Sequence, residues 1–288
     1  MIVDIWEIVV AFVAGTVGQV VDGSAGMGFG PLATTLLTVA GLAPAAAVAT
    51  VNIAKVGSGI SSGLSHWRFG NVRWSWVLPL AVPGVAGGAI GAFVFSRIPV
   101  ESARAVIPWL LLGIGIVILA RFARPRTPAP QLRGGADVAA IGDAPALALA
   151  AGGKTRRRAR ARVAARLRDL AVLGVGFLAG LVNAGTGSYG PVATSLLLVI
   201  RPARPRYVVG TVSLVEPVVA ASAAAVLVAG IGATGVAWPV LGALVIGAIV
   251  AAPAAAYIAR RVPARAMGIT VGAVMVLLNG GVLLASAF

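Results

Sequence analysis

The chain has 288 residues, of which 59% are hydrophobic and 11% are charged, whereas an ordinary soluble domain carries about 25% charged residues. Several apolar stretches reach the length of about 18 residues that crosses a hydrocarbon core, so the composition excludes a soluble globular domain and predicts an all-α polytopic membrane protein. The chain contains no cysteine, which excludes disulfides, thiolate metal sites and cysteine nucleophiles.

Apolar segments follow one another along the whole chain, on both sides of a basic linker. They cover residues 5–21, 29–41, 43–64, 74–96, 105–121, 170–182, 189–200, 207–230, 234–259 and 266–286. We therefore divide the chain into a first transmembrane repeat at 1–121, a linker at 122–168 and a second transmembrane repeat at 169–288. The start of the chain lacks the basic region of a signal peptide, so the first segment is predicted to belong to the mature protein.

The linker carries much of the positive charge. Residues 121–168 hold 12 of the 23 Lys and Arg residues, in a chain with a formal net charge of +15. Basic loops of membrane proteins face the cytoplasm and anionic lipid, so the linker is predicted to be cytoplasmic, with anionic lipid rather than nucleic acid as its partner. We expect it to be largely disordered, with an amphipathic surface helix over 156–170 as the alternative.

The two halves of the chain repeat each other. The stretch GPLATTLL at 30–37 matches GPVATSLL at 190–197, and ATVNIAK at 49–55 matches GTVSLVE at 210–216. Two matches in the same order and at nearly the same spacing indicate a duplicated unit.

The segments 29–41 and 189–200 are too short to span a membrane alone, because a helix of this length measures about 20 Å. Each could complete a broken spanning helix or form the returning arm of a re-entrant hairpin. Hairpins place the Arg-containing loops 201–206 and 260–265 on the linker side, as the positive-inside rule favours. Three spans plus a hairpin make an odd number of crossings, so the repeats would be inverted and both termini would lie outside.

A Gly-rich, helix-breaking stretch precedes each short segment, DGSAGMGFGP at 22–31 and VNAGTGSYGP at 182–191. Helices are predicted to start near Phe29 and Tyr189, with a proline in the first turn of each. Their free N–H groups and positive dipole ends would face the breaks, so two breaks that meet near the membrane midplane would form an anion site. Close packing of helices through small residues is the alternative interpretation.

These motifs resemble a known family. The stretch VDGSAGMGFGPLATTLL, followed by AVATVNIAK and a short basic loop, is similar to the TauE/SafE family of sulfite and sulfonate exporters, and Gly210, Thr211 and Ser213 match the family's Gly-Thr-Ser form in the second half. The resemblance covers nearly the whole chain outside the linker. It implies a secondary transporter, in a bacterial-type cell membrane, that exports a small organosulfur or sulfur oxyanion such as sulfite, a sulfonate or sulfoacetate.

The candidate substrate donors are backbone and side-chain groups at the breaks and on the helices that follow them. They are Gly23, Ser24, Gly26, Gly28, Asn183, Gly185, Thr186, Gly187 and Ser188 at the breaks, and Thr50, Asn52, Lys55, Thr211 and Ser213 on the following helices. Thr50 and Thr211 are related by the repeat. For a single threonine, a hydrogen bond to its own i−4 carbonyl is the alternative role.

Three ionisable residues, Asp22, Lys55 and Glu216, are predicted to lie at membrane depth, where such groups are expensive and by default functional. Lys55 could supply positive charge for the anion, while Glu216 or Asp22 could carry a coupled proton, with Na⁺ as the alternative coupling ion. The other interpretation is that Lys55 pairs with an acid purely to hold the two halves together.

No catalytic residue, metal site or cofactor is predicted. The single histidine, His66, lies in a predicted loop, and no complete motif of an intramembrane protease is present. The alternative functions are a passive anion channel and a transporter of another small anion. The sequence leaves the exact substrate, the direction of transport and the oligomeric state open.

Overall fold

The structure, a computed structural model, describes residues 4–25, 28–123, 154–200, 203, 205–259 and 264–285. This part of the chain forms ten α-helices. They are α1 (Ile5–Ala25), α2 (Phe29–Val39), α3 (Pro44–Arg68), α4 (Trp74–Ser96), α5 (Val100–Ala123), α6 (Lys154–Thr186), α7 (Tyr189–Ile200), α8 (Pro205–Ile231), α9 (Trp238–Ala259) and α10 (Ala264–Ala285). A short 3₁₀ turn at Ala233–Gly235 precedes α9.

The helices have the length and composition of membrane spans, which confirms an all-α polytopic membrane protein. Within the described residues, six stretches are long and apolar enough to cross a membrane: Ile5–Asp22, Trp74–Ser96, Val100–Ala123, Asp169–Thr186, Arg206–Ile231 and Gly268–Ala285. Large apolar side chains such as Leu78, Trp109 and Leu277 lie exposed on the outer surface, where lipid tails would solvate them.

The two short helices begin where the Gly-Pro motifs predict. Helix α2 starts at Phe29 and α7 at Tyr189, and each has its proline in the first turn. The residues just before them include Gly28 with φ of 136° and Gly187 with φ of 68°. Residues with a Cβ rarely adopt these conformations, so glycine at these positions lets the chain turn sharply into each short helix.

Each short helix folds back along the helix that precedes it. Trp6 and Val9 near the start of α1 line one groove together with Val39 at the end of α2, and Gly18 of α1 contacts Phe29 at the tip. In the second half, Leu178 of α6 and Leu196 of α7 line another groove. These contacts are those of hairpins rather than of two segments stacked end to end.

The relative directions of the long helices agree with the hairpins. Close glycine contacts join Gly59 to Pro217 and Gly63 to Leu214 between α3 and α8, and Gly115 to Met275 and Gly268 to Phe122 between α5 and α10. In both pairs the numbers rise on one helix as they fall on the other, so the helices are antiparallel. If α6 and α7 together formed one broken span, the chain would emerge on the side opposite the linker, and both pairs would be parallel. If α7 instead returns along α6 as a hairpin, the chain emerges on the linker side and both pairs are antiparallel.

The main helix–helix contacts join the first half of the chain to the second, and they come in repeat-related pairs. Helix α1 packs against α9, and its counterpart α6 packs against α4. Helix α3 packs against its own counterpart α8, and α5 against its own counterpart α10. A duplicated unit whose copies are related by a two-fold axis would produce this pairing.

The basic linker is more ordered at its end than expected. Helix α6 begins at Lys154 and continues without interruption to Thr186, so the prediction of disorder is wrong for 154–168, and the alternative of a helix over 156–170 is the one that agrees with the structure. This segment is rich in Arg and Ala, which are strong helix formers and outweigh its lack of an apolar period. Residues 124–153 of the linker lie outside the described residues, whereas 122 and 123 end α5.

Helix α5 also begins earlier than the predicted start at residue 105. It starts at Val100, directly after Pro99, whose carbonyl accepts a hydrogen bond of 2.9 Å from the N–H of Ala103. Glu101 therefore lies in the first turn of α5 and Arg104 at the start of its second turn, whereas the predicted segments 74–96 and 105–121 leave both residues between helices. Pro99 suits a helix start because proline needs no hydrogen bond to its own nitrogen there.

Candidate functional site

The two Gly-rich breaks meet in the centre of the fold. A Cβ atom on Gly30 would overlap the carbonyl of Gly187 and would lie 3.1 Å from the Nζ of Lys55. A Cβ atom on Gly187 would lie 3.0 Å from Val51 and 3.1 Å from the Oγ1 of Thr34. Glycine at both positions is what lets the two backbones touch, so the predicted meeting of the breaks is found.

Lys55 on α3 supplies the positive charge of this centre. Its side chain is buried and its ammonium forms an ion pair with the carboxylate of Glu216 on α8. The same ammonium donates hydrogen bonds to the carbonyl oxygen of Gly187, at 2.6 Å, and to Oδ1 of Asn183, at 3.4 Å. A charge buried this deeply is tolerable only with such partners.

Glu216 links the ion pair to the start of α7. Its Oε1 accepts a hydrogen bond of 3.2 Å from the backbone N–H of Gly190, in the first turn of that helix. The positive end of a helix dipole favours a negative group at this place. The anion position that the sequence predicted at the start of α7 is therefore filled by the protein's own carboxylate.

Two fully buried asparagines fix the second break against α3. Asn183 donates from Nδ2 to Oδ1 of Asn52, at 2.7 Å, and its Oδ1 accepts the backbone N–H of Tyr189, at 3.1 Å. Asn52 in turn donates to the carbonyl of Val48, at 2.9 Å. The chain of amides fixes the start of α7 relative to the helix that carries Lys55.

Asp22 places a second carboxylate at the start of the other short helix. It accepts a hydrogen bond from the backbone N–H of Phe29 and interacts electrostatically with Lys55 and Glu216. The side chain is partly buried. The three ionisable residues that the sequence singled out thus belong to one cluster, with an acid at the N-terminus of each short helix.

Thr34 on α2 and Thr194 on α7 were missed by the sequence analysis. Both are fully buried, and within the described residues neither hydroxyl has a hydrogen-bond partner. They occupy matching positions in GPLATTLL and GPVATSLL, one helical turn after Gly30 and Gly190. An unsatisfied buried hydroxyl costs about 1–3 kcal/mol, so its occurrence at both repeat-related positions calls for a function. The repeated threonine in the two motifs was the available signal.

Several predicted donors use their hydroxyl groups locally. Thr186 donates to the carbonyl of Val182, at 2.7 Å, and Ser188 donates to the carbonyl of Thr186, at 3.2 Å. Thr211 donates to the carbonyl of Tyr207, at 2.7 Å, and accepts the N–H of Arg73, at 2.9 Å. Thr211 therefore lies beside the α3–α4 loop and is not brought to the breaks.

The remaining predicted residues have mixed placements. Thr50 is fully buried, and its hydroxyl has no partner among the described residues, while Ser213 is buried where its carbonyl packs against Gly63. Gly28 and Gly185 border the breaks. Gly23 and Ser24 lie on the backbone of α1, but the side chain of Ser24 and all of Gly26 lie outside the described residues.

The central cluster is closed to solvent in this structure. Lys55 is 4% exposed, and the side chains of Asn52 and Asn183 have no accessible surface. The cluster therefore combines an ammonium, two carboxylates, two amides and the unsatisfied hydroxyl of Thr34, with the partly buried Asp22 at its edge. Such a group of donors can bind an oxyanion once the carboxylate of Glu216 gives up its position.

Sequence comparison links this chain to named membrane proteins. The family model described as "Sulfite exporter TauE/SafE" matches residues 11–281. The "Probable membrane transporter protein YtnM" of Bacillus subtilis (strain 168) is 34% identical over 278 residues, which cover 96% of this chain and 82% of that protein. The "Probable membrane transporter protein ORF9" of Sinorhizobium sp is 30% identical over 105 residues, which cover 36% of this chain and 40% of that protein. No solved structure matches the chain significantly.

Proposed function

We propose a function from one premise: the chain belongs to the sulfite exporter TauE/SafE family. The two relatives in the comparison are named as probable membrane transporters, and this chain is a multi-pass membrane transporter. Its substrate is a small sulfur oxyanion, such as sulfite, a sulfonate or sulfoacetate. It exports this anion across the cell membrane by alternating access at the central cluster, driven by the anion's own outward concentration gradient.

The observation that carries the proposal is the buried ammonium of Lys55 at the meeting of the two breaks. A sulfonate or sulfite group presents three oxygens, each of which needs an N–H or O–H donor. The cluster offers the ammonium, the first N–H groups of α2 and α7, and the free hydroxyl of Thr34; Thr194 is added because it holds the matching position in the second repeat. Charge-assisted hydrogen bonds from such donors are the strong ones, and helix N-termini are natural anion sites.

Glu216 gives the site a means of coupling. While ionised it holds both Lys55 and the N–H of Gly190, so it competes with the substrate anion for the same donors. A proton on Glu216 removes this competition and leaves the ammonium free for the substrate. Proton and anion then bind together, and the enclosed site never holds a large net charge. Asp22 is the second candidate for the proton, and Na⁺ is the alternative coupling ion.

The arrangement of the helices supports alternating access. The matched contacts α1–α9 and α4–α6, together with the antiparallel pairs α3–α8 and α5–α10, suit two inverted repeats. Both termini would then lie outside and the linker 122–168 in the cytoplasm. The closed centre favours a carrier over a passive channel, because an open pore would leave Lys55 exposed to water from both sides.

The test is transport by the purified full chain in proteoliposomes, with sulfite, thiosulfate, taurine, sulfoacetate and methanesulfonate as the panel. Because proton and anion move together, an imposed pH gradient should drive a transported anion to accumulate on the alkaline side. Movement that only equilibrates the anion with the membrane potential would identify a passive channel. Replacing Na⁺ by K⁺ separates the two coupling ions, and a panel in which nothing exceeds protein-free liposomes would contradict the proposed function.

A further inference from the structure

A cavity lined by three polar and six apolar residues lies away from the central cluster, between α2, α5 and α10. It has a volume of about 170 Å³ and is lined in part by Thr38, Leu42, Arg104, Ile107 and Asn279. One molecule of liquid water occupies about 30 Å³, so the cavity has room for one small oxyanion with some of its water. It opens at the end of the fold that carries the α2–α3 turn and the start of α5.

Arg104 gives this cavity its charge. It is the one charged residue in the cavity lining among the described residues, and in that part of the chain its guanidinium has no ion-pair or hydrogen-bond partner. It is exposed and is the fifth residue of α5, where the positive end of the helix dipole still disfavours a cation weakly. An anion held by Arg104 would offset that cost and use the same helix end.

Acidic residues also lie at this end of the fold. Glu101 is exposed in the first turn of α5, and Glu7 of α1 lies beside the α2–α3 turn, 3.8 Å from a Cβ built on Gly41. Neither contributes to the lining of the cavity. The charge that an anion in the cavity would meet first is therefore that of Arg104.

Polar groups run from Asn279 on α10 through the threonines of α2 towards Lys55. Asn279, in the cavity wall, donates from Nδ2 to Oγ1 of the buried Thr35, at 3.2 Å. On the same helix the free hydroxyl of Thr34 lies next to Gly187, whose carbonyl accepts the ammonium of Lys55. In this structure the buried Thr34 and Thr35 separate the cavity from the centre.

We propose that the α2–α5–α10 cavity is a peripheral anion subsite, in which Arg104 holds the oxyanion on its way between the solvent and the central cluster. The inference rests on the proposed function, since it assigns the same substrate class to a second place in the molecule. Rearrangement of the Asn279–Thr35 contact would open the line of hydroxyls between the two sites. The subsite affects how readily the anion is taken up from the solvent, and it leaves the coupling step at Glu216 unchanged.

The test compares Arg104→Gln with Arg97→Gln. Arg97 lies just before α5, where its guanidinium stacks over the ring of Phe93 at 4.5 Å, and it does not line the cavity. Transport of the best anion of the panel is measured in right-side-out and inside-out membrane vesicles, at low and high ionic strength. The half-saturating concentration and the maximal rate are recorded for each variant.

We expect Arg104→Gln to raise the half-saturating concentration about three- to tenfold at low salt, with an unchanged maximal rate, because steering by one charge is lost. The effect should shrink at high salt and occur only when the anion is added on the cavity side. Arg97→Gln should behave like the wild type. Equal shifts for both arginines, or none for Arg104→Gln in a protein that transports, would overturn the subsite. A wild type that transports no anion would instead contradict the proposed function itself.

Discussion

Lys55 and Glu216 occupy matching positions in the two repeats and form an ion pair with each other in the centre of the fold. When a residue of one repeat contacts the residue at the matching position of the other repeat, both lie on or near the axis that relates the two repeats. Identical residues there would bring like charges together, which a buried site does not tolerate. A lysine in one half and a glutamate in the other resolve this conflict and make the centre electrically asymmetric.

Lys55→Gln should weaken binding of a sulfonate by about 1–3 kcal/mol, because a charge-assisted hydrogen bond is lost. It should also lower the melting temperature, since Glu216 is left without its partner. The double variant Lys55→Gln/Glu216→Gln, which removes both charges, should recover stability but not binding. Affinity and melting temperature measured on the same purified samples separate the two effects. Unchanged affinity in a destabilised Lys55→Gln protein would retire Lys55 as a substrate ligand.

Thr34→Val and Thr194→Val remove hydroxyls that have no partner among the described residues. Each change should leave the melting temperature equal or higher, because an unsatisfied buried polar group is replaced by an apolar one of similar shape. Each should nevertheless weaken anion affinity about three- to tenfold, the scale of one hydrogen bond. Thr270→Val, whose hydroxyl donates to the carbonyl of Ala266 on an exposed face, is the matched control. Normal affinity in both central variants would show that these hydroxyls do not bind substrate.

Gly30→Ala should abolish transport, because its Cβ would overlap the carbonyl of Gly187 and force the two breaks apart. Gly187→Ala should do the same, since its φ of 68° disfavours a side chain. Gly57→Ala is the control: a Cβ there meets no atom within 4 Å, although it lies only two residues from Lys55. Transport rates per folded protein are the measurement. Full activity of Gly30→Ala would mean that close contact of the breaks is not needed.

The hairpin topology predicts which loops face the cytoplasm. Single cysteines added to this cysteine-free chain can be labelled in intact cells with a membrane-impermeant reagent. Phe69→Cys, at the α3–α4 connection, should be protected, and Thr234→Cys, at the α8–α9 connection, should be labelled. A cysteine at Arg204 should be protected like Phe69→Cys. Labelling of the Arg204 position from outside would contradict the hairpin in the second half.

The sequence predicts the helix starts well because their causes are local. A proline with a glycine before it can begin a helix but cannot continue one, and both α2 and α7 begin there. The start of α6 at Lys154 was predicted only by the alternative of a helix over 156–170, because the low apolar content of the segment favoured disorder while Arg and Ala are strong helix formers.

The central cluster could be predicted only in part. Burial cost alone identifies Asp22, Lys55 and Glu216 as unusual, but their mutual contacts depend on how the two halves pack. The repeat suggested a common role for Thr50 and Thr211, yet Thr211 is placed at the α3–α4 loop. The missing hydrogen bonds of Thr34 and Thr194 are a property of the packed structure, which no motif records.

In the proposed mechanism a proton on Glu216 frees Lys55 for the anion, and the pH dependence of anion binding is the most direct test. The dissociation constant of methanesulfonate, whose own acid group stays ionised, is measured by calorimetry across a pH series for the wild type and Glu216→Gln. Uptake of one proton per anion predicts that wild-type binding weakens about tenfold per pH unit towards alkaline pH, whereas Glu216→Gln binds equally at every pH. A variant that keeps the wild-type pH dependence, or a wild type that shows none, would contradict the claim.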